Sequence, residues 1–496
     1  LIFLLHGSSE ALTAAEWSLA RTWIYNSFEP VMHKGAMMDM TRGRGMSRWN
    51  SSDHTIGHVI IWAVTLLSQV APAADAAKFK SMVKYWVNSD TARSFYFWDP
   101  TTPVHKVTMY NAWLANGIAT SGSVTSRGEI AGNFQFPAMD RVSHKTANYT
   151  LAIAMYSNRI KNFEAINNEN KRGWYTGAGM TYLYNGDVDH YQDDFWPTVD
   201  PYRLPGTTID KRTRAASATA GSYGNSIVGG AVIGVSGVAC MKVSLDSGQL
   251  VALKSWFCLG DRVVMVGSGI TGTTANVVET IIENRNTGVA GTNLVKMNST
   301  ATNVLTTVGT QETLAAGWLH GEGGGGIGAI GTNSPIRGVR KDTSGKWSDI
   351  NGSAGTPTDT RTRRYITLWF DHGATPVNAG YAYALFPTYS ASTTASYAAS
   401  PTIAVPIRNT SVHYLTAQIS TTQIHSAVFW TNASNTAGVF ACNAIAAAML
   451  RIPATGEIEI ALSDPTQTRT SAITLTVQVA NSSILSHDPA ITVTRT

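Results

Sequence analysis

The spacing of apolar residues changes period near Thr125, so one polypeptide must hold two kinds of architecture. Upstream, apolar side chains recur at the helical interval that gives a single buried face. "TAAEWSLARTWIYNSF" sets Thr13 three residues before Glu16, the spacing of a capping box. Trp17, Leu19, Ala20, Trp23 and Ile24 then follow as the expected buried stripe. "HTIGHVIIWAVTLLSQV" is apolar on most faces and predicts a helix enclosed by others, and "DAAKFKSMVKYWVNS" gathers Phe79, Met82, Val83 and Trp86 on one side. Such helices, joined by loops rich in polar residues, suggest part of an α/α barrel.

Downstream, Thr, Ser, Val, Ile and Gly dominate and the period becomes two. "AVIGVSGVACMKVSL", "RVVMVGSGITG", "ANVVETIIENR", "RYITLWFDHG" and "AYALFPTYS" are strand patterns bounded by turn residues. "HGEGGGGIGAIG" predicts a loop or sheet corner. It lacks the following helix and the Lys-Ser/Thr end of a phosphate cradle. "YSASTTASYAASP" predicts a linker, and the strands after it would make a small sandwich. At 496 residues the chain exceeds one ordinary domain. The expectation is an α+β multidomain chain: helices over 1–124, a large β domain over 125–395 and a small β domain over 396–496.

Charged residues make up only 14% of the chain, a texture of secreted β-rich proteins. The net charge of +5, without clustered Lys and Arg, argues against a nucleic-acid partner but permits an anionic one. No apolar run is long enough to span a bilayer. Cys240, Cys258 and Cys442 carry no zinc or disulfide spacing; Cys240 and Cys258 could pair across adjacent strands, but three buried thiols is the expectation. The opening "LIFLLHGSSE" lacks Met and a basic leader, and Leu1 to Leu5 reads as an apolar helix entered halfway.

Candidate chemistry gathers in two stretches. "GAMMDMTRGRGMSRWNSSDH" brings Arg42, Arg44 and Arg48 together on a glycine-broken loop, with Asp39 as an internal partner. Guanidinium groups grip carboxylate or sulfate with two prongs and keep their charge, which suits an acidic substrate; the plainer alternative is a salt-bridged loop that serves only the fold. "SNRIKNFEAINNENKRGWYTGAGMTYLYNGD" offers Arg159, Glu164, Asn167, Glu169, Asn170 and Trp174. Amides there could meet sugar hydroxyls and aromatic faces could stack on sugar rings, whereas Tyr182 and Tyr184 are expected in the core. Unpaired burial of Glu164 or Glu169 would be costly. His54 and His58 lack the Glu of a zinc-protease helix and are expected to pack. Asp187, Asp189, Asp193 and Asp194 lack EF-hand spacing and are expected in solvated turns. Asp194 and Asp200 remain open as a glycosidase pair.

The block "RGWYTGAGMTYLYNGDVDHYQDDFWPTVDPYRLPGTTID", with "MDMTRGRGMSR" and "FEAINNEN" upstream, resembles polysaccharide lyase family 8. That family comprises bacterial hyaluronate, chondroitin AC and xanthan lyases. The resemblance implies a partial α/α toroid, a large antiparallel β-super-sandwich and a small C-terminal β-sandwich. It implies a metal-independent β-elimination, without cofactor, on a polymer containing uronic acid, and hence a secreted monomeric enzyme. By resemblance Arg44 and Arg48 line the cleft and Glu164 is the Glu of the catalytic apparatus, with Glu169 as the second choice for it; Arg42, Asn167, Glu169, Asn170 and Trp174 are expected to bind substrate on the strength of their residue types. The form of the "DDFWPTVDPYRLPGTT" stretch favours hyaluronan or chondroitin, with xanthan as the alternative.

The resemblance also implies an Asn that neutralises the uronate and a Tyr, assisted by a His, that moves the C5 proton. The family carries its His and Tyr in an "H…Y-x-G-x-Y-G" segment upstream of a helix resembling "LIFLLHGS", and no similar segment occurs in the 496 residues. The expectation is that this chain alone is inactive, serves as a carbohydrate-binding remnant, or works with a separate chain that completes the toroid.

Overall fold

The computed structural model describes residues 2–96, 109–216, 224–332, 334–479 and 483–494. The capping box forms as expected. The Thr13 amide donates to Glu16 at 2.9 Å, and the Glu16 amide donates to the Thr13 hydroxyl at 3.3 Å, opening helix Ala14–Trp23. The chain then widens into a π turn over Ile24–Phe28. Leu19 and Trp23, expected inside, are exposed, so the buried stripe is narrower than the sequence suggests. Helices Asp53–Val70 and Ala73–Ser89 pack on each other and share a core of Trp17, Ile61, Phe79, Met82, Val83 and Trp86. A further helix, Met109–Thr120, lies where no helical stripe is visible, because its buried residues are Asn111, Ala115, Ile118 and Ala119. Among the described residues no helix is long and apolar enough to cross a membrane.

The β region begins with a four-stranded antiparallel meander built from Gly132–Phe136, Arg141–Lys145, Thr150–Ala154 and Met180–Tyr184. A nine-stranded and a five-stranded sheet follow. Their core joins Met241, Trp256, Met265, Tyr381 and Tyr383 to Ile282, Ile336, Leu368 and Phe370, with Leu151, Ile153 and Tyr182 from the meander. The other face of the nine-stranded sheet, through Val238, Cys240, Phe257, Val264 and Val266, packs on Leu415, Ala417, Val428, Trp430 and Met449 of the C-terminal sheet. Burial on both faces explains continuous apolar runs such as "WFCL". Cys240, Cys258 and Cys442 are free buried thiols.

Two expectations fail here. The supposed linker contains helix Ala391–Ala399, capped by Ser390 through the Thr393 amide at 3.1 Å. It is held because Tyr389 stacks on Phe386 at 4.8 Å between ring centres and Tyr397 packs on the same ring at a tilt, at 4.5 Å. The glycine-rich corner is a hairpin, with Trp318–Gly321 paired to Gly325–Thr332 inside the nine-stranded sheet. Its glycines admit that same helix, since a Cβ on Gly326 would stand 2.1 Å from the Thr394 hydroxyl.

Candidate functional site

Two short 3-10 turns, Asp39–Thr41 and Gly43–Ser47, shape the arginine loop. Its inner side is fixed by Asp39, which is buried. One carboxylate oxygen accepts from Trp196 Nε1 at 2.6 Å and the other pairs with Arg42, while the Asp39 amide donates to the Tyr184 hydroxyl at 2.8 Å. Arg42 also donates to the carbonyls of Gly45, at 2.9 Å, and Ser51. With its side chain only 5% exposed, Arg42 closes the loop from within and does not face a substrate as expected.

Arg44 and Arg48 point the other way, onto the segment that follows Phe163. Arg48 donates from Nε to Glu169 Oε1 at 2.7 Å and from Nη2 to Oε2 at 2.9 Å. Arg44 donates from Nε to the same Oε2 at 2.6 Å and from Nη1 to Glu164 Oε1 at 2.5 Å. The Arg44 amide meets Glu164 Oε2 at 2.9 Å. This approach requires glycine at 43, where φ is +53° and a Cβ would lie 2.0 Å from that oxygen. The four side chains form a graded cluster: Glu169 is 9% exposed, Arg44 26%, Arg48 42% and Glu164 49%. Hydrogen bonds from Arg48, then Arg44, outweigh the burial of Glu169 and hold its carboxyl below the usual carboxylate range. The same bond raises the Arg48 guanidinium.

The glutamate segment keeps its shape through left-handed backbone at Asn167, Asn168 and Asn170, a conformation that Asn tolerates. Asn170 donates through its amide to the Ser47 hydroxyl at 3.0 Å and through Nδ2 to the Glu164 carbonyl at 2.8 Å. It therefore fixes both loops and, being buried, acts from beneath the cluster. Asn167 is exposed beside it. Trp174 was expected to stack on sugar but is buried, with its ring 5.2 Å from Tyr202, and its carbonyl accepts from Asn162 at 3.0 Å. Asn351, more than a hundred residues downstream, donates to the Ser47 carbonyl at 3.2 Å, and the Lys171 amide donates to Ile350 at 3.0 Å. No local pattern around Asn351 could have revealed that role.

The remaining candidates serve the frame. Arg159 pairs with Asp140 at 2.8 Å. Asp193 and Asp194 both accept from Arg363, at 2.6 and 2.7 Å, and Asp194 also accepts from Trp347 Nε1, so these acids are ion-paired and not simply solvated. His54 and His58 are buried against Asp90. Among the described residues no group of three or more His, Cys, Asp and Glu could hold a metal ion.

Residues 131–398 match the super-sandwich domain of polysaccharide lyase family 8. The chain belongs to that family. Residues 1–85 match the N-terminal α-helical domain of polysaccharide lyase family 8, and residues 418–473 its C-terminal β-sandwich domain. The chain is 38% identical to the xanthan lyase of Bacillus sp. (strain GL1), over all of this chain and 52% of that protein. It is 33% identical to a hyaluronate lyase of Thermasporomyces composti, over 78% of this chain and 49% of that one. The solved Paenibacillus xanthan lyase superposes with a TM-score of 0.90 at 36% identity, covering 98% of this chain and 46% of that chain. The Streptomyces coelicolor A3 chondroitin AC lyase in complex with chondroitin sulphate gives 0.81 at 33%, covering 94% and 60%. The family 8 chain described here spans about half the length of the curated relatives it matches.

Proposed function

We propose that the chain serves a secreted, monomeric polysaccharide lyase that cleaves hyaluronan or chondroitin by β-elimination. The reaction removes the uronate C5 proton, breaks the bond between C4 and the leaving oxygen, and leaves an unsaturated uronide. The C5 proton is a weak acid unless fixed donors stabilise the negative charge that spreads onto the carboxylate. The Arg44–Glu169–Arg48 arrangement is the observation that carries the proposal. Two permanent cations share one buried anion, and among the described residues Arg44 Nη2 and Arg48 Nη1 retain no protein acceptor.

The cluster's share in this reading is binding and orientation. Guanidinium groups keep their protons, and Glu169 is fully engaged as an acceptor, so neither is suited to be the base. Glu164, half exposed on Arg44, holds that arginine from the solvent side. A second substrate, xanthan, is supported by the greater identity to xanthan lyase across the whole chain. The test incubates the protein and an Arg44→Ala/Arg48→Ala variant with hyaluronan, chondroitin and xanthan, following binding and the ultraviolet absorbance of unsaturated uronide. Wild-type binding or turnover that the double variant loses supports the reading, and the preferred polymer settles the substrate. Binding without turnover supports a carbohydrate-binding role. Equal behaviour of both proteins overturns the assignment.

A further inference from the structure

We infer that Asn351 and Ser47 are positioning residues: an amide of the super-sandwich domain holds the arginine loop in register with Glu169, and the two-cation grip on that acid depends on it. The word "positioning" rests on the function proposed above; the joint itself rests on geometry. Three segments far apart in sequence meet here: the loop at 44–48, the glutamate segment at 164–171 and the turn at 350–352. Asn351 is 2% exposed and Ser47 1%. Glu169 and Asn351 pair in an antiparallel bridge. Beside it the Gly352 amide donates to the Asn168 carbonyl at 2.8 Å, and the Lys171 amide to the Ile350 carbonyl at 3.0 Å. Residues directly opposed in such a bridge send their side chains to the same side. Both accordingly meet one loop. The acid takes the Arg44 and Arg48 guanidiniums, and the amide takes the backbone of Ser47.

The donors and acceptors leave one arrangement. The Asn351 side-chain oxygen accepts from the Ser353 amide at 2.9 Å, which turns its NH2 group to the Ser47 carbonyl at 3.2 Å. The same nitrogen lies 3.4 Å from the Ser47 hydroxyl oxygen. The Arg44 carbonyl can only accept, so the Ser47 hydroxyl gives it its hydrogen at 2.9 Å. The hydroxyl oxygen is then left to accept from the Asn170 amide at 3.0 Å. Ser47 thus ties Arg44 to the glutamate segment, and Asn351 ties Ser47 to the super-sandwich.

Two substitutions break the joint in different ways. Asn351→Ala leaves the Ser47 carbonyl and the Ser353 amide unpaired, a cost that buried groups pay in full. Asn351→Asp keeps the acceptor for Ser353 but sets an oxygen against the Ser47 carbonyl. In both, the loop loses its register with Glu169, and the Arg44 and Arg48 bonds to that acid open more often.

The test is the exchange of arginine Nε–H groups with water, followed by NMR in arginine-labelled protein. The two signals are assigned from their loss in Arg44→Lys and Arg48→Lys. In the wild type both should exchange slowly, because both groups donate to Glu169. In the two Asn351 variants they should exchange about tenfold faster or more, the low end of what a bond to a charged group is worth. His413→Gln removes a buried ring between the nine-stranded and C-terminal sheets and should leave both signals unchanged, which separates positioning from general destabilisation. Ser47→Ala deletes the hydroxyl and keeps the carbonyl. It should also speed exchange, and it carries the test if the Asn351 variants do not fold. Wild-type exchange in the folded variants at 351 or 47, or equal acceleration by His413→Gln, overturns the inference. Hyaluronan affinity should fall about tenfold in the same variants. The exchange readout uses no polymer, so failure of the polymer assignment leaves the joint standing, and the converse holds.

Discussion

Arg48 meets Glu169 with two parallel prongs, Nε to Oε1 at 2.7 Å and Nη2 to Oε2 at 2.9 Å, and Arg44 shares the second oxygen. Glu169 therefore neutralises one of two adjacent cations and aims both. Glu169→Gln should leave the guanidiniums repelling each other around a single neutral acceptor. Losing charge-assisted bonds of roughly 1.5–3 kcal/mol predicts a drop of about ten- to a hundredfold in polymer affinity and turnover. Tighter binding by the variant would show instead that Glu169 competes with the polymer. Because the Glu169 carboxyl is depressed in the fold, its stabilising share is present at neutral pH and is lost as pH falls through its folded value. Acid unfolding of the variant should accordingly show a shallower slope than that of the wild type.

Arg42 and Arg48 should separate structure from binding. Arg42→Ala strands the buried Asp39 carboxylate and opens the loop, and should cost about 3 kcal/mol or more in urea denaturation. Arg48→Ala removes a half-buried guanidinium, and Glu169 keeps Arg44 as a partner, so the stability cost should stay at about 1 kcal/mol while salt-dependent polymer binding falls. If Arg48→Ala were the more destabilising change, the loop would be built in the opposite sense from the one described.

Gly43 lets a carboxylate reach the loop backbone. Gly43→Ala places a methyl where Glu164 Oε2 sits and adds left-handed strain of about 1–2 kcal/mol. Binding should weaken as in Glu164→Ala, and the double variant should be no worse than the single ones, because both remove one contact. Additive losses measured in a double-mutant cycle would show that Gly43 acts elsewhere.

The legible parts of this fold were those governed by local chemistry. Thr13 and Glu16 announced a helix start because a capping box is a four-residue device. The apolar run at 54–70 announced its helix because every turn supplies Val, Ile, Leu or Trp. Helix Met109–Thr120 was hidden because Asn and Ala line its buried face. The strand at 325–332 was hidden because glycine has no side chain to alternate. In the site, charge type led to Arg44, Arg48, Glu164 and Glu169, and the structure brings all four together. Residue type could not reveal direction. Arg42 and Arg44 stand two positions apart and point to opposite sides, and Trp174 turns inward to Tyr202. Asn351 was invisible because its partner is brought to it only by the tertiary fold.

The C-terminal unit is pinned to the nine-stranded sheet by His413, and its tautomer follows from the bonds. The Ser268 hydroxyl gives its hydrogen to the Asn409 carbonyl at 2.9 Å, so at 2.8 Å it can only accept from His413 Nε2. His413 Nδ1 is left free to accept from the Ser255 hydroxyl, also at 2.8 Å. Burial, helped by the Arg408 charge, pushes the ring down to about 3, so it is neutral in the fold and Nδ1 accepts. An unfolded histidine takes up its proton near pH 6.5, so between about 3 and 6.5 the unfolded state binds more protons than the native one. The staple's contribution is thus complete above that window and is lost as the solution is acidified through it. Wild-type stability, measured by urea unfolding at a series of pH values, should fall across this range. His413→Gln should be less stable at pH 7 by about 1–3 kcal/mol, since it cannot serve both serines in the same geometry, yet should lose less on acidification. Parallel pH profiles for the two proteins would mean that His413 is not the group that makes this interface acid-sensitive.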